Sequence, residues 1–226
     1  MLNSLMNQFC RFASGASTLR GTNAPERILL IRHGETDWNA TGRLQGFAPT
    51  DLNATGRAQA EALAEYLADW PIDSLHSSDL PRSLQTALPL ARTLRLEPQL
   101  DPRWREINVG IFQGLTFAEI EARYPQEFSL RKADIWGYVN REGESRRDMQ
   151  RRAYAAWLDV STRTNGRQAA VVSHGGTIKA LLCKLFGEDD ARLAVSIPNT
   201  SITVLERAGD TWALRAIAIT PHLDRV

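Results

Sequence analysis

The stretch Ile28-Leu29-Leu30-Ile31-Arg32-His33-Gly34-Glu35-Thr36 decides how the rest of the chain is read. Four consecutive apolar residues, two of them β-branched, predict a short buried strand that stops abruptly at Arg32, His33 and Gly34. Such a strand delivers an imidazole to its C-terminal edge, the edge at which open α/β sheets hold their ligands. Gly34 is expected to let the backbone turn and come close to whatever His33 faces. Alone, the pair is more simply a histidine capping a strand beside a surface arginine. Other segments have to supply the case for chemistry.

A second apolar run supplies it. Ala169 to Ser173 predicts another buried strand, and it too ends in histidine, as His174-Gly175-Gly176. If the two strands are parallel neighbours, His33 and His174 meet at one sheet edge, beside helix N-termini that favour an anion. Between them, Ile72 to Leu75 reads as a further strand, with Ser77-Ser78-Asp79 as capping side chains for a helix starting near Leu80. Pro81 suits a first turn, and Arg82 is therefore placed where a cation is unfavourable unless a bound anion is shared. Pro89 is expected to kink this helix. Glu106 lies in Trp104-Arg105-Glu106-Ile107, where partial desolvation would suit a proton donor. A salt bridge to Arg103 or Arg105 is the simpler alternative.

The remaining elements frame these residues. Asn53 caps a helix with Leu63, Tyr66, Leu67 and Trp70 on one face. Thr116 and Glu119 make a capping box for a short helix that Pro125 stops. From Pro125 to Arg141 the pattern is irregular, with Trp136 and Tyr138 inside it, and reads as an insertion covering a site. Gly143-Glu144-Ser145 opens a long helix with Met149, Ala153, Ala156, Trp157 and Val160 as its stripe. Ile178, Leu181, Leu182 and Leu185 give the buried face of the helix after His174, which Gly187 ends. Ser201 to Glu206 and Trp212 to Ile219 predict an edge hairpin across Ala208-Gly209-Asp210.

With 226 residues and 43% apolar content, the chain suits one domain with a modest insertion and a real core. The formal charge is +1, yet all but Lys132, Lys179 and Lys184 of the 27 basic residues are arginine. Arginine forks suit phosphate or carboxylate, and no basic stripe of the nucleic-acid type is present. Cys10 and Cys183 lie far apart, which argues against a disulfide scaffold and fits a reducing, cytoplasmic setting. Residues 1–24 contain no acidic residue and no run long enough for a signal core or a membrane span. They read as a disordered extension, with an organelle transit peptide as the alternative.

Five blocks in order and spacing resemble the histidine phosphatase superfamily, also called phosphoglycerate mutase-like. They are R-H-G-E-T at 32–36, S-S-D-L-P-R-S-L-Q-T-A at 77–87, W-R-E at 104–106, G-E-S at 143–145 and S-H-G-G at 173–176. The resemblance implies an α/β fold, a three-layer α/β/α sandwich with a mostly parallel central sheet and a small helical cap at about 114–141, within a domain spanning 25–226. It implies that His33 is the nucleophile and that Glu106 is the proton donor. Arg32, Arg82 and His174, the last as an imidazolium, would hold the phosphoryl group, with Asn39, Gln45 and Gly175 on the substrate side. No metal and no cofactor are expected, because two guanidinium forks and an imidazolium supply the charge.

Val109 stands where mutase members resemble one another in a tyrosine, so the segment looks more like the phosphatase branch. Gln113 departs from a Glu common there. The expected substrate is a small phosphorylated metabolite, with Arg123, Arg131, Lys132 and Arg141 available to a second acidic group and Trp136 and Tyr138 to an apolar one. No nucleic acid or membrane partner is expected, and a homodimer is left open. A mutase and a non-catalytic phospho-ligand binder are the competing readings.

Overall fold

The computed structural model describes residues 24–163 and 166–225, so the extension expected at 1–24 lies outside the described residues apart from Ala24. Chain order is β1 (Arg27–Arg32), the one-turn helix α1 (Asp37–Ala40), α2 (Ala54–Tyr66), β2 (Ser74–Ser77), α3 (Pro81–Leu94) and β3 (Pro98–Leu100). There follow α4 (Phe117–Arg123), α5 (Pro125–Ala133), α6 (Arg146–Arg163), β4 (Gln168–Ser173), α7 (Gly175–Phe186), β5 (Ile202–Ala208) and β6 (Thr211–Ile219).

The strands form one sheet in the order β3-β2-β4-β1-β5-β6. The first four run parallel, β5 runs against β1, and β6 runs against β5, so one strand of the 6-stranded sheet is reversed. Alternation along β1 explains the layers, because a strand sends successive side chains to opposite faces. Ile28 and Leu30 pack with Ala156, Trp157 and Val160 of α6 and with Ile178 and Leu181 of α7. Leu29 and Ile31 pack on the other face with Leu63 and Ala64 of α2 and with Ala87, Leu90 and Ala91 of α3. All four β1 side chains are fully buried, each contributing about 1.5–3 kcal/mol. The expected three-layer sandwich is therefore the observed one.

Local signals held where side chains had a single use. Asn53 accepts from the Gly56 amide at 2.8 Å, and Thr116 with Glu119 closes a capping box. Ser145 and Asp148 do the same for α6, with bonds of 2.6–3.2 Å. Three expectations are corrected. The second strand is Ser74–Ser77 rather than Ile72–Leu75, because β4 sets its register and Ile72 packs below it in the α2–α3 core. Among the described residues no side chain caps the first turn of α3, whose N-cap is Leu80: Asp79 pairs with Arg105, and Ser78 Oγ reaches only the Leu80 amide, at 3.3 Å, while also meeting His174. The helix after Thr116 does stop before Pro125, but the stretch beyond it, read as irregular, opens with α5, whose first turn Pro125 occupies at no cost for its missing N–H. Pro89 lies within α3, which continues to Leu94.

Helices α4 and α5 rest on a third, smaller cluster. Val109, Phe112 and Ile120 are its buried members, with Leu44, Ile107, Leu115, Tyr124, Phe128 and Tyr138 partly buried around them.

Candidate active site

Parallel pairing of β1 with β4 aligns Arg32 with Ser173, so the next residue on each strand is a histidine at the same sheet edge. The His33 amide donates to the Ser173 carbonyl at 2.9 Å. Both imidazoles are buried, and their centroids lie 5.1 Å apart with the planes tilted by 59°.

His33 Nδ1 lies 2.7 Å from the carbonyl oxygen of Gly34. A carbonyl only accepts, so Nδ1 carries the proton and Nε2 keeps its lone pair. Burial first, then the charges of Arg82 and Arg32, hold the His33 pKa well below its ordinary value, against the Gly34 hydrogen bond. The ring is neutral at physiological pH. Gly34 itself adopts no left-handed φ. Its need for a hydrogen side chain comes from α2, since a Cβ there would sit 2.6 Å from the Gly56 carbonyl oxygen. The close approach expected at Gly34 is thus to a helix.

His174 Nε2 lies 2.9 Å from Ser78 Oγ and 3.2 Å from Ser83 Oγ, while its buried Nδ1 has no partner. Burial, then Arg82 and His33, push its pKa well below the ordinary value. Burial first, and then four cationic or imidazole neighbours, thus disfavour the imidazolium expected from the sequence.

Arg82 is fully buried in the first turn of α3. Its guanidinium donates to the carbonyls of Gly46 at 2.9 Å and Ala48 at 3.0 Å and to Thr50 Oγ1 at 3.2 Å, leaving Nε without a partner. Burial lowers its pKa to about 10, Glu106 opposing and Arg32 reinforcing, so it stays a cation. Arg32 donates to the Ile197 carbonyl at 2.7 Å and likewise leaves Nε unpartnered. Unused buried donors cost roughly 1–3 kcal/mol each, which a bound anion recovers.

Glu106 takes neither salt bridge the sequence allowed. Arg103 pairs with Asp101 and Asp159, and Arg105 pairs with Asp79. The Glu106 carboxylate instead accepts from the Ile107 amide at 2.9 Å and from the Gly176 amide at 3.0 Å. A Cβ at position 176 would lie 2.4 Å from Glu106 Oε1, so the second glycine of the pair is the space the carboxylate occupies. Gly175 packs on Arg32, where a Cβ would sit 3.4 Å from Nε.

Asn39 Oδ1 is occupied by the Thr36 amide at 3.2 Å, by the Thr36 hydroxyl at 3.1 Å and by Asn199 Nδ2 at 3.2 Å. Its own amide nitrogen is left as a donor. Gln45 Oε1 accepts from Thr50 Oγ1 at 2.5 Å, which links it to Arg82.

A cavity of about 240 Å³ brings Arg32, His33, Asn39, Gln45, Arg82, Glu106 and Gly176 together. His174 and Gly175 stand behind this lining. Of the basic residues expected in the insertion, Arg131 reaches the cavity, whereas Arg123, Lys132 and Arg141 do not. Lys132 pairs with Glu121. Trp136 packs against the α6–α7 core and Tyr138 against the third cluster, so neither ring is offered to a leaving group.

Several groups escaped sequence reasoning. Asn199 also donates to the His33 carbonyl at 3.0 Å. Arg152 donates to the carbonyls of Arg103, Arg105 and Glu106 at 2.6–2.8 Å and pairs with Glu144 at 2.6 Å, clamping the Glu106 segment. Glu144 sits in the quoted G-E-S block, which was the available signal. Among the described residues no group of three or more His, Cys, Asp or Glu is placed to hold a metal ion.

Comparison with known proteins agrees with this geometry. The chain is 34% identical over 203 residues to phosphoglycerate mutase-like protein 4 of Arabidopsis thaliana, covering 87% of this chain and 86% of the relative. It is 33% identical over 205 residues to a metal-independent phosphoserine phosphatase of the same plant, covering 88% and 84%. The mycobacterial glucosyl-3-phosphoglycerate phosphatase solved with VO3 superimposes with a TM-score of 0.74 at 33% identity, covering 85% of this chain and 98% of that one. The family model for the histidine phosphatase superfamily (branch 1) matches residues 28–220, the span that carries both histidine-tipped strands, Arg82 and Glu106, and the chain belongs to that family.

Proposed function

We propose that this phosphoric monoester hydrolase acts on small phosphomonoesters through a phosphohistidine on His33, without a metal. The observation that carries the reading is the neutral His33 ring, with Nδ1 pinned to Gly34 and Nε2 free, in one cavity with Arg32, Arg82 and Glu106. Nε2 attacks phosphorus in line as the ester P–O bond breaks, and Glu106 gives a proton to the departing alcohol oxygen. The resulting carboxylate then takes a proton from water, whose oxygen attacks phosphorus as the P–Nε2 bond breaks. Inorganic phosphate leaves and both side chains are restored. Arg32, Arg82 and the Asn39 amide hold the equatorial oxygens, where charge is spread in the transition state. Gln45 orders Thr50 and Arg82, and Gly175 supports Arg32. Segment 114–141 serves as the cap.

Phosphate release from a panel of phosphomonoesters, with and without a chelator, tests the reading. The expected result is chelator-insensitive release, abolished in His33→Ala, with a radiolabelled enzyme trapped in wild type alone by denaturation in alkaline detergent, which preserves the acid-labile P–N bond. An alanine variant that still turns over at a comparable rate would remove the phosphohistidine assignment. Isomerisation of 3-phosphoglycerate with negligible release would make the chain a mutase instead.

A further inference from the structure

Among the described residues five arginines line the cavity: Arg32, Arg43, Arg82, Arg131 and Arg146. Arg32 and Arg82 stand with His33, and Arg43 is committed to Glu119 at 2.8 Å and to the Gly114 carbonyl at 2.7 Å. That leaves Arg131 on α5 and Arg146, the first residue of α6. Among the described residues, neither has a carboxylate within ion-pairing distance, although the neighbouring Lys132, Arg151 and Arg152 all do. Arg131 Nη1 is buried with no hydrogen-bond partner, and the guanidinium is held 5.1 Å from the centroid of the Phe117 ring. Burial, followed by the positive charge of Arg146, lowers the Arg131 pKa. Two unpaired cations within each other's field, one with an unused buried donor, are destabilising until an anion sits between them.

We propose that Arg131 and Arg146 form a second anion subsite, which selects phosphomonoesters bearing a further anionic group on the leaving alcohol. A guanidinium fork braced on an aromatic face suits a planar carboxylate, and it accepts a second phosphate by the same chemistry. The cap thus supplies recognition and the sheet edge supplies the reaction. This inference rests on the phosphatase reading above.

The test is kcat/KM for matched esters that differ only in the second anion. The pairs are O-phosphoserine against phosphoethanolamine for a carboxylate, and 1,3-propanediol bisphosphate against its monophosphate for a second phosphate. Wild type is expected to favour the anionic member of at least one pair by about 10- to 100-fold, mainly through KM. Which pair shows it identifies the anion. Arg131→Met and Arg146→Met should each bring that ratio toward one, while Arg131→Lys keeps part of it. A wild-type ratio near one for both pairs, or a ratio unchanged in both methionine variants, overturns the subsite while leaving the phosphatase in place. Release from no ester overturns the phosphatase reading and the subsite with it.

Discussion

Asn199 holds the backbone of His33 in place: its Nδ2 donates to the carbonyl oxygen of His33 at 3.0 Å. The same nitrogen reaches Asn39 Oδ1 at 3.2 Å, so one amide fixes both the end of β1 and the orientation of a side chain that lines the cavity. Asn199→Ala should lower kcat by about tenfold, the value of one hydrogen bond to a positioned group, with a smaller change in KM. Asn199→Asp should do more harm, since it replaces the donor with a charge facing two oxygens. A kcat unchanged in both variants would show that neighbouring bonds suffice to place His33.

Gly176→Ala puts a methyl group 2.4 Å from Glu106 Oε1. Either the carboxylate or the start of α7 must move, and a displacement near 1 Å costs about a hundredfold in rate. Gly175→Ala meets Arg32 Nε at 3.4 Å, an ordinary contact, and should be far milder. Steady-state kinetics on the two variants, with thermal midpoints as a control for folding, checks the contrast.

Arg82→Ala removes the cation proposed to hold the phosphoryl group and leaves the carbonyls of Gly46 and Ala48 without their partner. The rate should fall by about 10²- to 10³-fold. Stability should fall as well, by roughly 1–3 kcal/mol in urea unfolding. Arg82→Lys keeps the charge and loses the fork, so it should recover little of either.

All four histidines, His33, His76, His174 and His222, have pKa values lowered chiefly by burial, His222 to about 4. In the unfolded chain each takes up a proton near pH 6.5, before the folded chain does. Stability is therefore at its full value above pH 6.5 and is lost as pH falls below it, by about 1.4 kcal/mol per pH unit for each histidine until its folded pKa is reached. Melting temperatures between pH 7.5 and 4.5 should decline steeply and without a maximum near pH 6. The same shifts keep His33 unprotonated in mildly acidic buffer, so the acid limb of kcat/KM should fall below pH 6.5.

The sheet, its layers and the convergence of Arg32, His33, Arg82 and Glu106 on one cavity were legible in the sequence because each rests on a strong local signal. Ile28 to Ile31 and Ala169 to Val172 have no use except burial, and each run points its histidine at the same edge. What escaped depended on pairings between distant residues. Nothing near Asn199 marks it as a partner of His33, 166 positions away. Ser78 looks like a helix cap, yet its closer partner is His174, 96 positions away. Arg146 is one of many arginines in sequence, and only the cavity separates it from Arg147 and Arg151. Helix α5 escaped because Pro125, which correctly marks the end of α4, also suits the first turn of the next helix.

The small cluster of Val109, Phe112 and Ile120 shares no buried member with either sheet-facing core. Helices α4 and α5 therefore have a stability of their own, set by few buried contacts. Amide hydrogen exchange in them should proceed through sub-global opening, well below the free energy that protects β1 and β4. Such opening would give substrate a way in and alcohol a way out while the paired histidines keep their register.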